Sequence, residues 1–328
     1  MSDPASALID RIPLGSHGMH DLYVHGDTLY GAHTRLQRIN LNTKEIRTIG
    51  TEVDGVYPLA FVDFHRPLDG PPDGSLLGVG MPDQRLYAIL PDKKQLGELT
   101  PAFADSFATF QLLPDHVPGF FPLAMVGSNN AKYLYFYDLN RLAICIVDLD
   151  TRKMVGTIQL DGYTRDIVIS PDDKFIYAAH LFANELSVID LTTPWPTVRK
   201  VPVTNGPMGL ALSADGKRLF VACCGDSGGG PGDLNHGTLK VFDRSTMQGV
   251  QMFTGKYSTH VVVNGAGTLA YVSNNHDGSI SVVDVSGTPA LEATVTGLTS
   301  PGRMCFGPDE HRLYVTESAP DAIAILAV

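Results

Sequence analysis

The sequence predicts an all-β chain folded as a seven-bladed β-propeller of four-stranded antiparallel blades, and three observations predict it. Five segments share one template: "PLAMVGSNNAKYLYFYDL" from Pro122, "TRDIVISPDDKFIYAAHL" from Thr164, "PMGLALSADGKRLFVACC" from Pro207, "STHVVVNGAGTLAYVSNN" from Ser258 and "SPGRMCFGPDEHRLYVTES" from Ser300. Each joins two apolar runs, the second rich in β-branched and aromatic residues, through a short polar turn such as "SPDDK" or "SADGK". That is the pattern of a tight hairpin. The last copy stops one strand short, and the chain begins with a strand-like segment that has no blade of its own.

The elements follow in order. Each hairpin supplies strands one and two. A third strand comes next ("LAICIVDL", "ELSVIDL", "GTLKVFD", "GSISVVDV"), then a weaker fourth ("KMVGTIQL", "TVRKVPV", "GVQMFTG", "LEATVTG"). Two diverged copies precede them: "MHDLYVHGDTLYGAHTRLQRINLNTKEIRTIG", and the stretch from Tyr57 to Asp115, which carries a long insertion around "HRPLDGPPDG". The final copy ends at "AIAILAV", so residues 6–15, "ALIDRIPLG" among them, are expected to complete the last blade and close the ring. Closure of that kind removes exposed sheet edges. Residues 1–328 are accordingly read as a single domain.

The motifs "SPDDKFIYAAH", "SADGKRLFVACC" and "GPDEHRLYVTES", each followed by a strand such as "SVIDL", resemble the YVTN-type repeats of seven-bladed β-propellers, a group with lactonase-like members. The resemblance runs from Pro122 to Val328. It implies the fold. It implies little about function, because that group includes binding domains, cofactor-bearing redox subunits and lactone hydrolases.

Composition narrows the function classes. Hydrophobic residues make up 44% and charged residues 18%, enough apolar surface for a large core. The net charge of −11, without a basic cluster, argues against nucleic acid and anionic membranes. Apolar runs are strand-sized and "MSDPASALID" has neither a basic region nor a hydrophobic stretch, so neither a leader nor a membrane span is expected and the cytoplasm is the expected location. Cys145, Cys223, Cys224 and Cys305 lack paired metal-ligand spacing and read as small buried residues. The glycines at 228–230 precede no helix, and no nucleotide cofactor is expected. Nothing in the sequence reports the oligomeric state.

The ionisable residues carry the functional signal. In an up-and-down blade the start of strand one and the end of strand two share a rim. Strand two ends at His33, Gly80, Asp138, His180, Cys223, Asn274 and Glu317; strand one starts include His20, Asp21, Arg165, Asp166, His260 and Arg303. His276 follows on the same face, whereas His25, His65 and His311 map to the opposite turns. The expected catalytic residues are His180, His260, Asp166, His33, His20 and Glu317, which supply bases and acids. The expected substrate-binding residues are Arg165, Arg303, Asp138, Asp21, Asn274 and His276, among them guanidinium groups able to hold an anion bidentately.

Imidazoles from separate blades can also converge on a divalent metal, although no H-x-H or H-x-x-x-H spacing supports one here. "YAAHL" and "CCGDSGGGPGD" imitate the histidine and serine motifs of trypsin-type proteases, but outside that two-barrel context Ser227 is not read as a nucleophile. The expected function is therefore acid–base chemistry on a small organic substrate, of lyase, isomerase, cyclase or lactone-hydrolase type. The alternative is a non-catalytic propeller that binds a ligand or a protein.

Overall fold

The computed structural model describes residues 6–14, 21–32, 36–49, 76–79, 85–89, 108–111, 121–130, 132–151, 153–203, 206–225, 236–318 and 321–328. They build an all-β propeller architecture of up-and-down antiparallel blades. Six sheets have four strands, and a seventh has three: Leu76–Val79, Arg85–Ile89 and Ala108–Gln111. The complete blades among the described residues number six, one fewer than the sequence predicts. The shortfall falls on the copy with the Pro- and Gly-containing insertion; most of that copy, "HRPLDGPPDG" included, lies outside the described residues.

The chain divides into two compact units, residues 27–161 and residues 1–26 with 162–328. The first contains the blade Pro122–Gly127, Tyr133–Asp138, Ala143–Asp148 and Lys153–Gln159. The second contains three consecutive blades: Thr164–Ile169 to Thr197–Pro202, Pro207–Leu212 to Gly249–Phe253, and Ser258–Val263 to Ala290–Val295. It also contains the last blade, where Pro301–Phe306, Arg312–Glu317 and Ala322–Ala327 are joined by Ala7–Pro13. The N-terminal strand pairs antiparallel along the last one, from Ala7 opposite Ala327 to Pro13 opposite Ala322.

The hairpin turns explain the repeated polar motif. Ser170 Oγ donates to Asp172 Oδ1 at 2.5 Å and accepts from the Lys174 and Phe175 N–H groups at 3.2 and 2.9 Å. Ser213 with Asp215 repeats the arrangement, and Asn264 Oδ1 does the same work alone for Thr268 and Leu269. The turn also needs one left-handed residue, filled by Asp173, Gly216, Gly267 and Glu310 in successive blades.

Strand alternation makes the core. In Arg218–Cys223, Leu219, Val221 and Cys223 pack toward the preceding blade against Tyr177, Leu186 and Val188. Phe220 and Ala222 pack toward the following blade against Val261, Val272 and Val283. Strand two is buried on both faces and reads as a continuous apolar run. The outermost strands, such as Thr197–Pro202, are largely exposed and read weakly.

Candidate functional site

The first strand of each blade in the larger unit carries a β-bulge near its start. Register slips between Thr164 and Asp166, Pro207 and Gly209, Ser258 and His260, and Pro301 and Met304. A bulge inserts an unpaired residue and re-aims the side chains beside it. The residues at or just after the slip are Asp166, Gly209, His260 and Arg303, and Asp21 opens the strand Asp21–His25 nearby in the same unit.

These side chains meet. Arg303 Nη1 lies 3.3 Å from both Asp166 carboxylate oxygens and Nη2 lies 3.3 Å from Oδ1. Asp166 is fixed in turn by the Leu210 N–H, 2.9 Å from Oδ2, and by the Ile167 N–H, 3.2 Å from Oδ1. Gly209 lets the blades approach, because a Cβ there would sit 2.7 Å from His260 Cα. Burial opposes the charge on Arg303, but Asp166 and Asp21 outweigh it and hold the guanidinium protonated. The side chain keeps 26% of its surface accessible, and the junction of strand starts around it is called the recess.

Asp21 and His260 share this recess. Burial pushes the Asp21 carboxyl up to about 6, against the pull of Arg303 and the Leu22 N–H, and Asp166 adds to the rise. His260 is pushed well below the usual imidazole range by burial and then by Arg303, so its ring is neutral. Its Nδ1 accepts from the Met304 N–H at 3.2 Å, which places the ring proton on Nε2. The recess therefore holds a fixed guanidinium, a carboxyl that titrates near neutrality and a neutral N–H donor.

The strand-two ends do different work. His180 is fully buried inside its own blade, with Thr164 Oγ1 3.1 Å from Nδ1 and Ser187 Oγ 2.6 Å from Nε2. Asn274 repeats this with Ser258 at 2.9 Å, Ser279 at 3.1 Å and Ser281 at 2.9 Å. Glu317 is buried against Arg11 of the N-terminal strand, 2.7 Å away, and accepts from the Thr299 N–H at 2.7 Å. In the smaller unit Asp138 is buried, accepts from the Phe121 N–H at 2.7 Å and pairs with Arg141. These four residues latch strands together, and within the larger unit His180, Asn274 and Glu317 are hydrogen-bonded inside their own blades rather than to Arg303 or Asp166.

Arg165 is the residue skipped by the register slip before Asp166, and His276 is stacked on Tyr257 with ring centroids 4.2 Å apart. His20 and His33 lie outside the described residues, as does Ser227. His311 is exposed in its hairpin turn. Among the described residues no group of three or more His, Cys, Asp or Glu side chains is arranged to hold a metal ion. Tyr163 and Tyr257, which the sequence reading does not single out, each immediately precede strand one of their blades.

No protein-family model matches the chain. A stretch of 209 residues, 62% of this chain, is 25% identical to Antigen Lp49 of Leptospira interrogans serogroup Icterohaemorrhagiae serovar copenhageni (strain Fiocruz L1-130). The match covers 43% of that protein, so the chain spans less than half the length of this curated relative. Among solved structures, Kuenenia stuttgartiensis hydrazine synthase superposes with a TM-score of 0.73 over 95% of this chain and 96% of that one, at 15% identity. That likeness is one of fold, a β-propeller. Among the described residues no helix is long and apolar enough to cross a membrane.

Proposed function

We propose that the chain is an enzyme that acts on a small organic substrate by general acid–base chemistry in the Asp21–His260–Arg303 recess. The observation that carries this reading is the Asp21 carboxyl, raised to about 6 beside a guanidinium that stays charged. A carboxyl with that value exchanges protons readily at neutral pH. In the proposed reaction Asp21 removes a proton next to a carbonyl or carboxylate. Arg303, aimed by Asp166, stabilises the charge that develops on oxygen, and His260 Nε2–H donates to the same oxygen as a neutral imidazole. This step is shared by lyases and isomerases, and a cyclase or lactone hydrolase would use the same base on a different acceptor. The YVTN-type lineage and a cytoplasmic setting belong to the same proposal. The repeat motifs support the first, and four free cysteines support the second.

A second reading, a propeller that binds a ligand without chemistry, is favoured by the Asp166–Arg303 contact, which neutralises the recess in the absence of any substrate. One experiment separates the two. The protein is incubated in D2O with a panel of carbonyl and carboxylate metabolites, and loss of C–H signal is followed by NMR. Deuterium entering at least one compound, slowed about a hundredfold in a folded Asp21→Asn variant, is the expected result. Exchange that is indifferent to Asp21 removes the proposed base. Binding without exchange across the panel favours the second reading.

A further inference from the structure

We infer that Arg165, Tyr163 and Tyr257 form an anchoring subsite for the carboxylate and ring of a planar aromatic acid. The inference rests on the proposed function only in placing a small molecule on this face of the larger unit. Arg165 is the bulge residue before Asp166, and its guanidinium has no hydrogen bond or ion pair among the described residues. Its neighbour Asp166 cannot neutralise it, being engaged by Arg303, Leu210 and Ile167. In a chain of net charge −11, a half-buried arginine without an ion pair among the described residues is a local attraction for an anion.

The surroundings specify a flat ligand. Leu181, Met208 and Cys224 make a small buried apolar floor, and Tyr163 and Tyr257 pack on it from two different blades. Each tyrosine is backed by a second ring: Phe182 5.3 Å from Tyr163, and His276 parallel to Tyr257 within 9°. Arg165 lies close enough to this group that its charge opposes the burial-driven rise of the Cys224 thiol and the Tyr257 hydroxyl. Tyr257 holds a left-handed φ of 57° at the residue before strand one, the position filled by Gly206 at 66° and Ser300 at 45° in the flanking blades. Arg165 would bind the carboxylate through its fork while the aromatic faces sandwich the ring.

The test uses calorimetric titration of the full chain with three probes: benzoate, benzamide and acetate. The expected result is that benzoate binds, and that benzamide, lacking charge, and acetate, lacking the ring, are each weaker by about tenfold. Arg165→Gln should lower benzoate affinity by about tenfold and Arg165→Lys by less, since lysine keeps the charge without the fork. Equal benzoate affinity in the parent and Arg165→Gln overturns the subsite. So does equal affinity for all three probes, or no benzoate binding at about 10 mM. The D2O exchange assay keeps the two proposals apart. Arg165-dependent benzoate binding without exchange retains the subsite and removes the acid–base reading, whereas exchange with Arg165-indifferent binding does the reverse.

Discussion

Arg303 reaches Asp166 from a blade three repeats further along the chain, 137 positions away in sequence and 3.3 Å away in space. Two intervening blades contribute to the same contact, one through the Leu210 N–H that holds Asp166 and the other through His260 beside the guanidinium. The ion pair thus ties four repeats together at the starts of their first strands.

Removing one partner should cost more than removing both. Asp166→Ala leaves the Arg303 charge and the Leu210 N–H without their acceptor. Because Arg303 is only partly buried, the loss should be about 1–3 kcal/mol, below that of a fully buried pair. The double variant Asp166→Ala/Arg303→Met should recover part of it. Urea denaturation of the four species in a double-mutant cycle measures the coupling.

Asp21 gives a pH signature with a definite sign. Its value moves from 3.8 in an unfolded chain to about 6 in the folded protein. The folded state therefore prefers the protonated form, and the stability this contributes is complete below pH 4 and lost as pH rises through 6. Asp21→Asn should be more stable than the parent at pH 7–8, by about 1 kcal/mol once water access to the recess is allowed for, with the gain vanishing near pH 4. Thermal melts across this range check it.

His180 behaves as a structural residue in this arrangement. His180→Ala should lose about 2–4 kcal/mol, since it opens a cavity and strands the Thr164 and Ser187 hydroxyls. His180→Asn should retain more than half of that, because asparagine fills the same place between Ser258 and Ser281 in another blade. Denaturant midpoints of the two variants decide it.

The N-terminal strand should be necessary for the last blade. Removing residues 1–13 exposes the edge of Ala322–Ala327 and leaves the Glu317 carboxylate without Arg11. The truncated chain should melt at lower temperature and aggregate. Arg11→Met should show a milder loss of about 1–2 kcal/mol, because the Thr299 N–H remains bonded to Glu317.

The blades were legible because hairpin turns and doubly buried strands leave local patterns. "SADGK" announces both its side-chain acceptor and its left-handed residue within five positions. The copy from Tyr57 to Asp115 was less legible, because its insertion interrupts the spacing by which repeats are recognised. The placement of Asp21, Asp166, His260 and Arg303 at strand-one starts is legible by register, but their convergence depends on bulges that a ladder count does not reveal. The burial of His180 and Asn274 inside their own blades has a readable cause. Each has a hydroxyl 16 residues before and 7 after, Thr164 and Ser187 for one, Ser258 and Ser281 for the other. Asp138 and Glu317, with Pro122 and Pro301 at the earlier position, pair with arginines instead.

The pairing of Ala7–Pro13 with Ala322–Ala327 sets an order of events during synthesis. On the ribosome the early segment emerges with its ladder groups unsatisfied, and its partner leaves the exit tunnel some three hundred residues later. Joining segments that far apart carries a large loop-closure entropy and makes the step slow. Nascent chains should therefore depend on holdase chaperones until Ala322–Ala327 has emerged, and arrest before residue 322 should yield a product readily cut by proteases within Ala7–Pro13.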